Sequence, residues 1–525
     1  MKFGEAIALQ LAARGVRDVF GIPGVHTIEM YRGLPAAGIA SHPARHEQGV
    51  GFMADAYARQ TGRPGVALLV TGPGLLNALT PLAQAWHDSV PVLYLAADTA
   101  TADLGRGRGP LHDVLDQSAA ARGVTEHSWR LREPADLPRV LDAAWAALTA
   151  PRPRPVVISV PVDVLSAEVP DELADVPPAA LVRPMPLDEG ELDAAADVLA
   201  AATAPVIIAG GGARSATGAV AALAERIDAP VVTTGNGAGA LPAGHPLGVG
   251  PRLPFAGAHE LVADADVVLA VGTEFSDADV IYSGRALEIP GRLVRVDADP
   301  ANLHVPFRAD AAVLGDAGQA LLALAERVAQ RPATDGAARA RAAREGTDWT
   351  EQSRQHLPWV EAIERAVPAD AVQVLDSTQL AYTLHQALTP STPTARIAPY
   401  GLGTLGPALP MGVGAAIAEP GRPVLVIMGD GGGLFTLPEL ATAVDLGRQF
   451  TVLVWDNRGY GEIRDSFDRA GAERLDTEVT AHDYALLARG FGAEVTTVAD
   501  PAELEGALRD AMSRETATVV VAQGF

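Results

Sequence analysis

The sequence contains no cysteine, which excludes disulfides, thiolate metal sites and a cysteine nucleophile. It also lacks any apolar run approaching the roughly 20 residues that a membrane-spanning helix needs. Residues 1–16 carry Ile7 and Leu11 at helical spacing, but Glu5 and Gln10 interrupt the stretch, which has no apolar centre of the signal-peptide kind. A soluble, cytoplasmic protein without a membrane partner is expected. Basic residues are scarce: 40 Lys and Arg stand against 64 Asp and Glu, and the formal charge of -24 repels phosphate backbones, so nucleic acid is not an expected partner. An anionic substrate is not excluded, because a site can be locally positive within an acidic protein.

Hydrophobic residues make up 48% of the chain and charged residues 20%, a balance with ample material for buried cores. At 525 residues the chain exceeds one core of ordinary size and should divide into about three domains. Short apolar runs, among them 66–70, 90–95, 156–160, 206–209, 267–271 and 424–428, alternate with Ala- and Leu-rich segments of helical period. That alternation predicts an α/β fold of doubly wound domains with mostly parallel sheets. Two Pro-rich and charge-rich stretches, 167–189 and 330–349, read as linkers and place three units at 1–166, 190–328 and 350–525. The first and last units look alike in their order of strand, loop and helix.

The last unit carries the apolar run 424–428, then Gly429-Asp430-Gly431-Gly432-Gly433, a helical stretch around 437–445, a strand at 451–455 and then Asp456-Asn457. This order puts Asp430 and Asn457 just past the carboxyl ends of two strands, where open α/β sheets gather ligands. The glycines let a backbone approach a diphosphate at a helix N-terminus. The Asp430 carboxylate and the Asn457 amide oxygen offer hard ligands suited to magnesium. A lone Gly-Asp-Gly is more often a turn with a solvated aspartate. Here, however, 25 residues (432–456) separate Gly431 from Asn457, and the whole stretch resembles the thiamine-diphosphate-binding motif. The resemblance implies metal ligands at Asp430, Asn457 and the Gly459 carbonyl. It implies cofactor contacts along Gly429, Asp430, Gly431 and Gly432 and along Asn457, Gly459, Tyr460 and Gly461. Asp456 stands where many members have a second Asn and is not expected to ligate.

The first unit contains Ala44-Arg45-His46-Glu47-Gln48-Gly49, then Tyr57-Ala58-Arg59, then Thr71-Gly72-Pro73-Gly74 and Asn77. Alone, Glu47 is accounted for by the dipole of the helix it begins. Together with Phe20-Gly21-Ile22-Pro23-Gly24 and Val296-Asp297-Ala298-Asp299-Pro300, the set resembles the acetolactate synthase and 2-oxo acid decarboxylase family over nearly the whole chain. The resemblance implies a pyrimidine-binding domain, a central domain and a diphosphate-binding domain in that order, with thiamine diphosphate and Mg2+ as cofactors. Gly24, Thr71, Gly72 and Asn77 are the cofactor contacts implied in the first domain. Glu47 is then the activating acid. A buried carboxyl of raised pKa that shares a proton with the aminopyrimidine N1′ favours the tautomer whose 4′-nitrogen takes the proton from the thiazolium C2.

The stretch Gly401-Leu402-Gly403-Thr404-Leu405-Gly406-Pro407 matches the family segment in which Leu405 supports the bent cofactor and the Gly403 carbonyl receives its 4′-amino group. Without that match Leu405 reads as a core leucine. The central Gly210-Gly211-Gly212 lacks the full Gly-x-Gly-x-x-Gly spacing; it is similar to the family's central domain, which is often structural and binds FAD in some members. The family draws Glu47 and the diphosphate motif of one site from different subunits, so a homodimer or homotetramer is expected.

For the substrate, a small-molecule 2-oxo acid, the polar candidates are His112 and Gln117 in the loop 111–117, where acetolactate synthases carry a Phe-Gln-Glu run, and His26 beside the Pro-Gly turn. Ordinary surface or structural roles are open for all three. Asp376 follows the strand 372–375, where it can pair with a cationic substrate tail or simply cap a helix. The segments 21–27, 111–113, 376–379 and 457–463 are together most similar to the branch that decarboxylates 5-guanidino-2-oxopentanoate, for which a carboxylate opposing the guanidinium is physically sensible. Non-oxidative decarboxylation to an aldehyde is the expected reaction. A carboligase of the acetolactate synthase type and a non-catalytic cofactor-binding relative are the alternatives, and the presence of Glu47 weighs against the second.

Overall fold

The short apolar runs become the strands of three parallel sheets in a computed structural model that describes residues 1–180, 186–282, 285–478 and 482–524. The first sheet comprises β1 (Asp18–Gly21), β2 (Ala40–Pro43), β3 (Gly65–Leu69), β4 (Val92–Asp98), β5 (His127–Arg130) and β6 (Val156–Pro161), in the order β2-β1-β3-β4-β6-β5. The second comprises β7 (Pro205–Ala209), β8 (Val231–Thr233), β9 (Gly248–Gly250), β10 (Val267–Val271), β13 (Arg292–Asp297) and β14 (Ala311–Leu314), with a small antiparallel pair, β11 (Ile281–Tyr282) and β12 (Arg285–Ala286), set apart from it. Its order, β14-β13-β10-β7-β8-β9, is that of a dinucleotide-type doubly wound sheet. The third comprises β15 (Val372–Leu375), β16 (Arg396–Ile397), β17 (Val424–Gly429), β18 (Phe450–Asp456), β19 (Glu494–Val498) and β20 (Ala517–Gln523), in the order β16-β15-β17-β18-β20-β19. The first and third sheets therefore share one topology.

Central strands are buried along their whole length, as in β3, β4, β6, β7 and β17, because helices cover both faces of each sheet. The helices Glu47–Thr61 and Ala408–Ala418 are buried nearly all round, and they pack on each other between the first and third sheets. Phe52, Met53, Met411 and Val413 thereby join one apolar core that runs through both domains. The two helices begin beside Glu47 and Leu405, so this shared core fixes the candidate site's two halves in each chain.

The two stretches read as linkers are more ordered than that reading. Within 330–349, the helix Gly336–Glu345 buries Ala340 and Ala343 against the helix Ala256–Ala263, while Arg339 donates to the carbonyls of Ala204 and Pro205 and Arg344 to that of Gly248. Proline and charge content hid the spacing of two small apolar residues, which is enough for a satellite helix. In 167–189, Gln10 Nε2 donates to the carbonyls of Leu173, Ala174 and Val176 at 3.2, 2.9 and 2.8 Å, tying the stretch to the first domain; 181–185 lie outside the described residues. No helix among the described residues is long and apolar enough to cross a membrane.

Candidate active site

The candidate residues leave the carboxyl edges of the first and third sheets. His26 lies beyond β1, Glu47 beyond β2, Thr71 to Asn77 beyond β3 and His112 beyond β4; Asp376 follows β15, Leu405 follows β16, Asp430 follows β17 and Asn457 follows β18.

Glu47 opens the helix Glu47–Thr61, whose N-cap His46 accepts the Gln48 N–H on Nδ1 at 3.1 Å. The N–H groups of Arg45 and His46 donate to Glu439 Oε1 at 2.9 and 3.0 Å, so a buried carboxylate of the third domain pins the start of this helix. Burial raises the Glu439 pKa, and the Thr442 hydroxyl and those two amides oppose the rise. Asn77 Nδ2 donates to Glu47 Oε2 at 3.0 Å. Glu47 is half-buried in the single chain rather than enclosed as expected.

Gly72 has φ +65°, a conformation that suits glycine, and a Cβ there would lie 2.2 Å from the His112 carbonyl oxygen. The loop bearing His112 therefore rests directly on the turn that begins the Thr71–Asn77 segment. The rings of His26 and His112 meet edge to face, with centroids 5.2 Å apart, at the same rim as Gly24. Burial and then the neighbouring His112 lower the His26 pKa, and His26 Nδ1 is buried without a hydrogen-bond partner among the described residues. The Thr71 hydroxyl is likewise buried and unpartnered. Gln117 departs from its expected catalytic role. It is 1% exposed, its Oε1 accepts the Gly72 N–H at 2.8 Å, and its Nε2 donates to the Ala97 carbonyl at 2.8 Å and the Ser159 hydroxyl at 3.2 Å. With both ends engaged beneath the turn, Gln117 holds Gly72 in place.

Asp376 also departs from expectation. Its carboxylate is buried; Oδ1 accepts the N–H groups of Ser377 and Gly406 at 2.8 and 3.0 Å, and Oδ2 accepts that of Ala408 at 3.3 Å. It anchors the loop that carries Gly403 and Leu405, with three backbone amides on the carboxylate of a residue that is 4% exposed. Burial pushes its pKa up to about 6, against the pull of those amides. The native state thus binds this proton more tightly than an unfolded chain, whose aspartate titrates near roughly 3.9. The stability contributed by this proton is full below that value and is lost as pH rises through about 6. Asp376→Asn should flatten this part of the melting profile between about pH 4 and 6 and should lower turnover of cationic and neutral substrates alike. A selective rise in KM for the cationic substrate would restore the guanidinium-pairing role.

The same loop is held from the first domain. Asp88 Oδ1 accepts the Gly401 N–H at 3.1 Å and the Asn236 amide at 3.0 Å, and Gln84 Oε1 accepts the Leu402 N–H at 3.3 Å. Asp88 thus joins all three domains. Arg59 donates to it at 2.8 Å and to the buried Asp55 at 2.6 Å, so one cation is shared by two carboxylates.

At the end of β17 the chain turns through Asp430–Gly433 as a single helical turn, with Gly431 and Gly432 buried. Asp430 Oδ2 accepts the Gly459 N–H at 2.7 Å, and the Tyr484 hydroxyl donates to the Asp430 carbonyl oxygen. The Asn457 amide oxygen lies 3.1 Å from Asp430 Oδ1 and 2.9 Å from the Gly459 carbonyl oxygen, while Asn457 Nδ2 donates to Gln379 Oε1 at 3.1 Å. Three oxygens thus converge, with the Asn457 backbone N–H donating to Asp430 Oδ1 at 3.4 Å. Octahedral magnesium with ligands at about 2.0–2.1 Å separates adjacent oxygens by about 2.9 Å, so the trio fits two edges of such a polyhedron. Burial raises the Asp430 pKa, with the Asp456 charge adding to the rise and the amides of Gly459, Asn457 and Gly431 opposing it. Tyr460 packs over Gly431, and Gly461 opens the helix Gly461–Ala470.

In the central domain the Gly212 N–H donates to the Gly272 carbonyl at 3.0 Å, which ties the Gly210-Gly211-Gly212 turn to the end of β10.

Comparisons with known proteins agree with this geometry. Three family descriptions match in order: "Thiamine pyrophosphate enzyme, N-terminal TPP binding domain" over residues 1–120, the central domain over 192–324 and the C-terminal TPP binding domain over 376–522. A probable 2-ketoarginine decarboxylase, AruI of Pseudomonas aeruginosa, is 43% identical over 98% of this chain and 93% of its own length. The chain belongs to the thiamine pyrophosphate enzyme family. The acetolactate synthase isozyme 3 large subunit of Escherichia coli is 31% identical over 97% of this chain and 92% of its own. The sulfoacetaldehyde acetyltransferase of Castellaniella defragrans is also 31% identical, over 97% and 90%. The three sheets are the family's three domains, and thiamine diphosphate is the cofactor its two outer domains bind.

Sequence reasoning missed Glu439, Asp88, Gln84 and Gln379. Each acts through a contact more than 50 residues away along the chain, and only Gln379 stood inside a quoted motif.

Proposed function

We propose that this enzyme decarboxylates a 2-oxo acid without oxidation, releasing an aldehyde, with 5-guanidino-2-oxopentanoate as the substrate. The observation that carries the reading is the convergence of Asp430 Oδ1, the Asn457 amide oxygen and the Gly459 carbonyl oxygen at the ends of two neighbouring strands. Those oxygens would hold Mg2+, and the turn 429–432 would hold the diphosphate against it. Bound thiamine diphosphate supplies an electron sink for the departing carboxylate. Glu47, braced by Asn77 and by the amides that Glu439 secures, holds and returns a proton at N1′ of the aminopyrimidine. Leu405, on a loop anchored by Asp376 and Asp88, would pack against the bound cofactor, and the Gly403 carbonyl would accept a hydrogen bond from its 4′-amino group.

Two apolar rims support a homodimer or homotetramer that completes the site. Val25, Leu111 and Leu115 are exposed beside His26 and His112, and Leu402, Phe435 and Ile463 are exposed beside the diphosphate turn. The units 1–166, 190–328 and 350–525 describe each subunit's division, with 167–180 and 330–349 packed onto their neighbours, and we place the protein in the cytoplasm.

His26 and His112 are the groups placed to deliver a proton to the product, which is what separates aldehyde release from carboligation. His112→Ala is expected to lower aldehyde formation by at least about a hundredfold, the usual worth of a positioned proton donor, while cofactor affinity stays near native. An unchanged rate would remove the pair from the chemistry. Support for the guanidino acid comes from the 2-ketoarginine decarboxylase relative, to which the similarity extends across the whole chain. The test is kcat/KM for 5-guanidino-2-oxopentanoate beside pyruvate, branched and aromatic 2-oxo acids. Preference for the guanidino acid is expected. Preference for pyruvate with a hydroxyketone product would favour the acetolactate synthase reading.

A further inference from the structure

The Asn457 amide could turn end for end. Turned, its nitrogen would donate to the Gly459 carbonyl and to Asp430 Oδ1 at 2.9 and 3.1 Å, and the oxygens would be satisfied without any cation. Keeping the oxygen turned toward a cation therefore requires a partner for the nitrogen on the other side. Gln379, buried at the start of the helix Gln379–Ala387, places its Nε2 at 2.7 Å from Asp465 Oδ2 and 3.3 Å from Glu462 Oε2. An ionised carboxylate only accepts hydrogen bonds, so the glutamine nitrogen has to face these two acids and its oxygen has to face Asn457. Gln352 Nε2 also donates to Asp465 Oδ2, at 2.8 Å, and fixes that carboxylate in place. Gln379 Oε1 then accepts from Asn457 Nδ2, and the Asn457 oxygen is left pointing at Asp430 and Gly459. Gly461 makes the contact possible, because a Cβ there would lie 2.3 Å from Asn457 Nδ2 and 2.7 Å from Gln379 Oε1.

We infer that Gln379 and Asp465 are positioning residues for the metal site, an orientation lock that keeps the Asn457 oxygen turned toward the ion and stops the apo site from closing on itself. The inference rests on the magnesium reading given above. Outer partners of this kind are typically worth about 10–100-fold in metal affinity.

The test is calorimetric titration of Mg2+ into the thiamine-diphosphate-containing protein, with circular dichroism and the melting temperature of each metal-free variant as folding controls. Gln379→Met keeps the volume and removes the acceptor, and it should weaken magnesium by about 10–100-fold. Should Q379M fold poorly, Asp465→Ala combined with Glu462→Ala, which removes both acids that face the glutamine nitrogen without touching Asn457, carries the same expectation. Native-like magnesium affinity in a folded Q379M, or in the folded variant lacking both acids, overturns the lock alone. Failure of the native protein to bind magnesium overturns the lock and the metal reading together.

Discussion

Replacing Glu47 by glutamine is expected to lower carbon dioxide release by about 10²–10⁴-fold, the range for loss of a general acid–base group. The substitution keeps the side chain's size and leaves an oxygen to accept from Asn77, which now lies 3.0 Å from Glu47 Oε2. The helix start is secured separately by Glu439 through the amides of residues 45 and 46, so the fold should not register the change. Glutamine cannot exchange a proton at N1′, and that is the one property removed. Thiamine diphosphate should still bind with near-native affinity, measured by fluorescence quenching, while steady-state turnover collapses. A variant that lost cofactor and activity in equal measure would make Glu47 a binding residue instead.

Asp430→Ala should have an effect of similar size by the opposite route. It removes the only carboxylate of the oxygen trio, so magnesium affinity should fall by more than the roughly 100-fold associated with loss of an outer partner, and activity with it. The metal-free variant loses the hydrogen bond from the Gly459 N–H but no longer buries a carboxylate, so its melting temperature should stay near native. Calorimetry with Mg2+ and the melting temperature of the metal-free variant separate these statements. Retained magnesium affinity would contradict the placement of the ion.

The residues legible in the sequence are those whose chemistry is local. The run from Gly429 to Gly432 and Asn457 sit at strand ends that the apolar pattern marks, and the parallel register of β17 with β18 brings them side by side. The likeness of the first and last units was legible for the same reason, and the two sheets have one strand order. Gln117 and Asp376 lie at equally suggestive places, yet their side chains are consumed by backbone amides that arrive from 45 and about 30 residues away, and only the fold reveals that. The helix Gly336–Glu345 was obscured because two buried alanines make a weak periodic signal among arginines. Asp88 is the extreme case: a lone aspartate before a strand, whose role depends on three domains meeting around it.

Carbon dioxide and aldehyde measured together from 5-guanidino-2-oxopentanoate, with and without thiamine diphosphate and magnesium, bear most directly on the reaction. Equal amounts of the two products are expected, only when both cofactors are present. Release of carbon dioxide with a hydroxyketone in place of the aldehyde, or no release from any 2-oxo acid under those conditions, would contradict the decarboxylase assignment.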